Sequence, residues 1–405
     1  MEKLTVKNLG PIKDFTLETN RLTVLIGPQA SGKSLLAQMV YLFRDHESLF
    51  AERFVSSWKS GVECGRVLRA ILDDMRGASF DTFCDRETCV KYRDSHGQEY
   101  SFGVVGVDGN GRAGTRRFKF SVNDFFEKEV NEDIGLWVEN NAKLTDSLLS
   151  SDVYIPTERT YYSRMVSQAA AGLYSEAMPL VLRRFSGSME AGKRIRGRYS
   201  AWINLKIGLP DGPDEKHQRL IDEMESNALR GNAHWSDETE KWVWLVTKKK
   251  RKQLVLEAMS SGQMEAWPFF WLARTFGEAE GGMYFYFEEP ETHLHPNAQV
   301  EVIKTIASLI SRGHRFFITT HSPFILYVIN NLIQAHIAHD GKPPEGEFSI
   351  NPDHVAAYCL GDKPHSIMDK QTRLLNLDEI DDVFDDIGEY FQTMLEKAYE
   401  KRNRK

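Results

Sequence analysis

Apolar residues recur along this chain with two alternating spacings. From residue 259 onward, a helical pattern over Gly262 to Thr275 gives way to an unbroken apolar run, Met283 to Phe287. A second helical pattern, Ala298 to Ser311, precedes a second run, Phe316 to Thr320, and a helix follows over Pro323 to Leu332. Short continuous runs between helices are the signature of strands buried on both faces. The amino end carries the same arrangement in miniature. Leu4, Val6 and Leu9 precede the turn Gly10-Pro11, Ile12 to Leu17 returns, and Leu22 to Ile26 leads to a helical stretch over Leu35 to Phe43. These patterns predict an α/β protein whose sheet is layered between helices, with core segments at residues 1–43, 151–165 and 228–335.

Between those pieces the rhythm changes. Residues 44–150 read as an insertion, with charged helical sequence over Ala51 to Met75, turns at Asp94 to Gly97 and Asp108 to Gly111, and a final stretch Leu136 to Leu149. Residues 151–227 return to the core through Val153 to Ile155 and continue as a helical subdomain. Residues 228–335 start with strands near Leu229, Trp242 to Val246 and Gln253 to Leu256. Trp242 and Trp244 share one face of their strand and read as packing residues. Residues 336–405 form a small α/β extension, with a strand over Val355 to Leu360 and an amphipathic helix over Ile380 to Tyr399.

Composition narrows the class. The 405 residues are 41% hydrophobic and 27% charged with a net charge of -7, which is ordinary for a globular protein and leaves room for local basic patches. Four cysteines at irregular spacing do not form a disulfide framework. No apolar stretch reaches membrane-spanning length and the start lacks a signal-peptide core, so a cytoplasmic location with no membrane partner is expected.

Candidate chemistry begins at Gly27-Pro28-Gln29-Ala30-Ser31-Gly32-Lys33-Ser34, directly after an apolar strand and before a helix. Its glycines and backbone N–H groups suit phosphate oxygens, Lys33 suits the terminal phosphates of ATP, and the Ser34 hydroxyl suits Mg²⁺. The run Met283 to Phe287 ends in Glu288-Glu289. One carboxylate there can organise the metal (Glu288) and the next can polarise the attacking water (Glu289). His321 follows the other buried run, where an imidazole can sense a γ-phosphate or its water. Ser260-Ser261-Gly262-Gln263 opens a helix with small residues and hydroxyl donors.

In chain order, the loop, Ser260 to Gln263, Glu288-Glu289 and His321 resemble the ABC-type P-loop ATPases. Met259 to Gln263 is similar to that family's Leu-Ser-Gly-Gly-Gln signature, with Met259 and Ser261 as departures. The Leu4 to Ile12 strand, Ser260 to Gln263, Glu288 to Pro296 and Thr319 to Pro323 resemble more closely the soluble branch of overcoming-lysogenisation-defect nucleases. The same elements resemble the ATPase components of anti-phage systems of the PARIS and Septu kinds. The resemblance implies an ATPase head with a split nucleotide core, using ATP and Mg²⁺. It also implies a homodimer or higher oligomer in which Ser260, Ser261, Gly262 and Gln263 complete a neighbour's site. Thr292, His293 and His295 would lie at that interface. Glu158 and Arg159 fall in a recurring element, either as an ion pair or as part of a nucleotide-adjacent network.

The same resemblance implies control of a separate nuclease or toxic effector, with DNA or a phage-derived molecule as trigger. The segment after Phe43 has no transporter-type docking loop, and residues 44–227 are too short for a long coiled coil. The acidic cluster Asp378, Glu379, Asp381, Asp382, Asp385 and Asp386 fits the polar face of a helix better than a nuclease centre. The basic run Lys248, Lys249, Lys250, Arg251 and Lys252 is either a DNA- or partner-contacting hairpin tip or a solvated turn. Arg183, Arg184, Lys193, Arg194, Arg196 and Arg198 form a second basic region. Two other functions stay open: an ATPase acting directly on DNA, and a nucleotide-gated scaffold with negligible turnover.

Overall fold

The computed structural model describes residues 1–50, 64–77, 79–107, 116–121, 152–165, 178–196, 214–236, 239, 241–246, 253–280 and 282–403. Asp108 to Gly111, Leu136 to Leu149 and Lys248 to Lys252 lie outside these residues.

The centre is a sheet of six strands, assembled from distant parts of the chain. In spatial order they are β14 (His365–Ser366), β13 (Val355–Cys359), β3 (Leu22–Ile26), β12 (Arg315–Thr320), β11 (Tyr284–Glu288) and β7 (Asp152–Ile155). All pairings are parallel except that between β13 and β14. Thr320 pairs with Ile26, and Glu288 pairs with Thr319. The carboxyl ends of β3, β12 and β11 therefore finish side by side. In a parallel sheet, that edge is where ligands bind.

Alternate residues of these strands feed two different cores. Val24, Ile155, Phe285, Phe287, Phe316 and Ile318 face one side. There they meet the helices α5 (Glu215–Leu229), α6 (Ser261–Phe276), α7 (Pro296–Ser311) and α8 (Pro323–Ala338). Leu25, Tyr154, Tyr284, Tyr286 and Phe317 face the other side, against α1 (Lys33–Arg44). Aromatic stacking reinforces both layers: Phe285 lies 4.9 Å from Phe316, and Tyr154 lies 5.6 Å from Tyr286.

The second face differs from a plain layer of helices. Its outer wall is a five-stranded antiparallel sheet, β2 (Ile12–Glu18), β1 (Lys3–Leu9), β4 (Cys84–Arg93), β5 (Glu99–Val107) and β6 (Arg116–Ser121). Strands β4 to β6 fall within the stretch read as an insertion, yet they extend the sheet begun by β1, and Val90, Tyr92 and Phe102 of β4 and β5 join its core. The short helix-rich stretch between, α2 (Cys64–Arg76), packs Leu68 and Leu72 into the same core. Likewise β13, from the carboxyl-terminal extension, sits directly beside β3. Alternating sequence patterns identify strands but not their neighbours, which is why both placements escape a local reading.

The strands β8 (Gly231–Ser236), β9 (Lys241–Val246) and β10 (Gln253–Val255) form a separate three-stranded sheet. Trp242 stands edge-on to Trp267 and Trp271 of α6 at 4.6 and 4.7 Å, so the two strand tryptophans are packing residues as expected. Three residues of the second basic region are used internally. Arg183 pairs with Asp74 at 2.6 Å, Arg184 is buried beside Asp45, and Lys193 pairs with Glu190 while lying over the Trp235 ring. All three lie on α4 (Leu180–Arg196), which follows α3 (Thr160–Met165) in the chain and packs against α2 and α6.

Candidate nucleotide site

The loop after β3 is shaped by backbone rather than by side chains. Gly27, Ala30 and Gly32 have φ of 153°, 59° and 95°. A Cβ at Gly27 would sit 2.6 Å from the Leu360 carbonyl oxygen, and one at Gly32 would sit 2.9 Å from Ile12, so both positions require glycine. Pro28, Gln29 and Ala30 form an exposed crest, and Ser31 lies partly covered behind it. Gly32 caps α1 without a side-chain acceptor, which leaves the first N–H groups of the helix available to an anion.

Lys33 is buried beneath this crest. Its ammonium donates to the carbonyls of Gly27 (2.8 Å) and Pro28 (2.7 Å), and lies 3.4 Å from Ser31 Oγ and from His321 Nδ1. Burial lowers its pKa, partly offset by the nearby Glu289 and Glu291 carboxylates. With the ammonium donating, Nδ1 of His321 accepts. The proton of a neutral ring then sits on Nε2, which faces Glu289 Oε1 at 3.1 Å. Lysine, histidine and glutamate thus form one chain across the ends of β3, β12 and β11.

Glu288 and Glu289 occupy different environments despite adjacency. The Glu288 side chain turns inward, accepting from Ser34 Oγ at 2.9 Å and from the Tyr154 hydroxyl. Burial raises its pKa, while those two hydrogen bonds pull it back. Glu289 has a left-handed backbone with φ of 43° and points its partly exposed carboxylate toward His321. Its N–H donates to Thr319 O at 2.8 Å, and Thr292 Oγ1 lies 3.3 Å from its Oε2.

Two residues given no settled role beforehand organise these groups. Glu291 Oε1 accepts from Thr320 Oγ1 (2.6 Å), His321 N (2.8 Å) and Ser322 N (3.1 Å), so it fixes the turn that carries the histidine. The motif Glu-Glu-Pro-Glu contained it, but only the three-dimensional turn reveals which of its acids faces the backbone. Arg159 is fully enclosed and donates to the carbonyls of Pro156, Glu288, Glu289 and Glu265 at 2.8 to 3.0 Å. Its ionic partner is Glu265 at 3.2 Å, not Glu158, which instead accepts from Thr157. Glu158 is therefore outside the buried cluster.

Glu265 belongs to α6, the helix opened by the signature-like residues. Ser260 and Gln263 close a reciprocal capping box there, and Ser260 and Ser261 remain exposed. Pro268 lies inside the helix and cannot donate to Met264 O; that carbonyl accepts from Ser163 Oγ at 2.9 Å instead. The amide of Gly262 abuts the next loop, because a Cβ there would lie 2.5 Å from His293 O. His293 has φ of 56° and its Nδ1 lies 3.5 Å from Glu265. His295 caps α7 by accepting from Asn297 N, and Thr292 braces Glu289.

The donor set fits a magnesium–nucleotide pair. Ser34 and Glu288 supply one hydroxyl and one carboxylate already in contact, which suits an ion completed by phosphate and water oxygens. Among the described residues, no group of three or more His, Cys, Asp or Glu side chains is gathered for a metal held by protein alone. No described helix is long and apolar enough to cross a membrane, and Cys84, Cys89 and Cys359 are not disulfide-bonded.

A family model described as an AAA ATPase domain matches residues 195–326. That stretch contains Ser260 to Gln263, Glu288, Glu289 and His321 but not the loop at Gly27 to Ser34. No curated protein sequence matches the chain. Among solved structures, an SMC head domain from Thermotoga maritima is similar at 9% identity and a TM-score of 0.39, covering 90% of this chain and 97% of that one. A SmcHead bound to the C-winged helix domain of ScpA gives 12% and 0.48, covering 91% and 98%. A Smc head with an extended coiled coil, bound to the C-terminal domain of ScpA and derived from Pyrococcus furiosus, gives 14% and 0.41, covering 96% and 100%. These values describe weak overall likeness, and the α/β assignment stands on the strand order and register above.

Proposed function

We propose that the chain binds and hydrolyses ATP with Mg²⁺ and uses that cycle to assemble through shared sites. The carrying observation is the convergence of Lys33, Ser34, Glu288, Glu289 and His321 at one edge of the parallel sheet. The loop and the start of α1 bind the phosphates, Lys33 turns from its two carbonyls to the terminal phosphate, and Ser34 with Glu288 would hold Mg²⁺, which would neutralise phosphate charge there. Glu289 accepts a proton from the water that attacks the γ-phosphorus. The bond to the β–γ bridging oxygen breaks, releasing ADP and phosphate. His321 orients the water and Glu289 together.

The exposed opening of α6, with Ser260, Ser261, Gly262 and Gln263, completes a neighbouring copy's site. Motif resemblance supports a further step: the assembled state holds or releases a separate nuclease or toxic effector in anti-phage defence. Hydrolysis measured over a dilution series tests the shared site, with specific activity expected to fall as copies separate. Mixing Lys33→Ala with Ser261→Arg protein should recover activity that neither has alone. Failure of the mixture to recover any activity would refute the shared site. Loss of wild-type ATP binding would refute the whole reading. Co-purification with the product of a neighbouring gene, with and without ATP, tests the effector. Stimulation by duplex DNA instead would favour direct action on DNA.

A further inference from the structure

The carboxyl-terminal helix α9 (Asp378–Asn403) has 26 residues, about 39 Å of helix at the usual rise. It carries an apolar stripe that nothing in the described structure covers. Every side chain from 385 to 399 is exposed. These include Ile387 at 62%, Tyr390 at 68%, Phe391 at 66% and Tyr399 at 59%. In sequence, Ile380, Phe384, Ile387, Phe391, Met394 and Ala398 recur in alternate steps of four and three residues. Those steps match the seam spacing of a coiled coil, and Val383, Tyr390, Leu395 and Tyr399 widen the stripe beside it. Leaving it in water forgoes a large part of the stabilisation that burying such side chains supplies.

Charge along the same helix is strongly polarised. Asp378, Glu379, Asp381, Asp382, Asp385, Asp386 and Glu389 fill its first half without a single base. Its second half carries Lys397, Lys401 and Arg402 with Glu396 and Glu400, a net positive end that Arg404 and Lys405 extend in sequence. This polarity suits the helix dipole, but a satisfied dipole leaves the apolar stripe bare. A partner surface must therefore be apolar along its middle, basic at one end and acidic at the other. The helix itself, turned end for end, has that pattern. Parallel pairing would instead set seven acids against seven.

We propose that α9 pairs antiparallel with α9 of a second copy of this chain, in a two-fold contact that needs no nucleotide. A self-complementary patch is what such an isologous interface requires. The contact is separate from the ATP-dependent one proposed above. It would tether two copies before ATP brings their sites together and raise the effective concentration of one for the other.

Light scattering of the full chain without nucleotide is the test. A dimer is expected at micromolar concentration, and Ile387→Glu with Phe391→Glu should weaken it by about 100-fold or more. Zero-length carbodiimide coupling supplies the orientation. Asp385 and Lys397 are about 18 Å apart along one helix, so a coupled Asp385–Lys397 peptide can form only between copies. Lys397→Glu should abolish that peptide and leave the helix content unchanged by circular dichroism. A monomeric nucleotide-free wild type, or a dimer indifferent to Ile387→Glu with Phe391→Glu, overturns the proposal. So does coupling that joins the acidic halves to no basic half. Because no nucleotide is present, none of these outcomes depends on whether the ATP reading is correct.

Discussion

Replacing Glu291 should separate catalysis from nucleotide binding. One oxygen of its carboxylate holds three donors, two of them the backbone N–H groups of His321 and Ser322. Ser322 N has a second acceptor in Thr320 Oγ1 at 2.9 Å, whereas among the described residues His321 N donates to Glu291 alone. Glu291→Ala therefore orphans one N–H and weakens a second. With a charged acceptor, each bond contributes about 1.5–3 kcal/mol, so the imidazole should lose roughly 2–3 kcal/mol of positioning. At about 1.4 kcal/mol per decade, kcat falls roughly 30- to 150-fold. Glu291→Gln keeps an acceptor of the same shape without the charge, and should lose only about 5-fold.

The nucleotide affinity should change little, because Glu291 touches neither the loop backbone nor Ser34. Removing a negative charge near Lys33 pushes any change toward tighter binding. Steady-state hydrolysis with equilibrium binding of a fluorescent ATP analogue reads both quantities. A Glu291→Ala protein with wild-type kcat would refute the assignment. A loss of binding equal to the loss of rate would show general disruption instead of a misplaced histidine.

Three further outcomes follow from buried groups. Burial raises the Glu288 pKa, so its stabilising protonated form is lost as pH climbs from the ordinary carboxylate value through the raised one. Glu288→Gln should accordingly gain about 1 kcal/mol at neutral pH while losing Mg²⁺-dependent hydrolysis, and calorimetry showing a lower Tm would contradict this. His314 accepts from Met283 N at 2.9 Å and donates to Gly277 O at 3.0 Å, and burial lowers its pKa to about 4. Stability should therefore fall as pH drops from about 6.5 toward 4, by up to about 3 kcal/mol. A ring proton resonance that titrates near 6.5 in the folded protein would rule that out. Gly262→Ala places a methyl 2.5 Å from His293 O. It should destabilise by about 1–3 kcal/mol in denaturant melts, and an unchanged midpoint would mean the loop yields freely.

The sequence was most legible where chemistry and local structure coincide. The loop glycines, the Glu288-Glu289 strand end and His321 each sit at the close of a short apolar run, and all three runs became neighbouring strands. Arg159 and Glu291 were legible as residues but not in role. Their partners are mostly backbone atoms from other elements, and a carbonyl carries no sequence signature. Arg183 looked like surface charge because its acidic partner, Asp74, comes from a distant helix, and Lys193 because the Trp235 ring beneath it comes from another element. Strands β4 to β6 were read as an insertion for a related reason. A strand records which of its faces is apolar, not which edge it will pair with.

The Arg159 clamp has a practical corollary for any dissection of this site. It grips the main chain of residues 288 and 289 through their carbonyl oxygens, hydrogen bonds that neither side chain takes part in. Substituting either acid changes the reagents and leaves the bench beneath them standing. Differences among Glu288 and Glu289 variants can accordingly be read as differences in chemistry. Changes at Arg159 move both carboxylates at once and cannot be so divided.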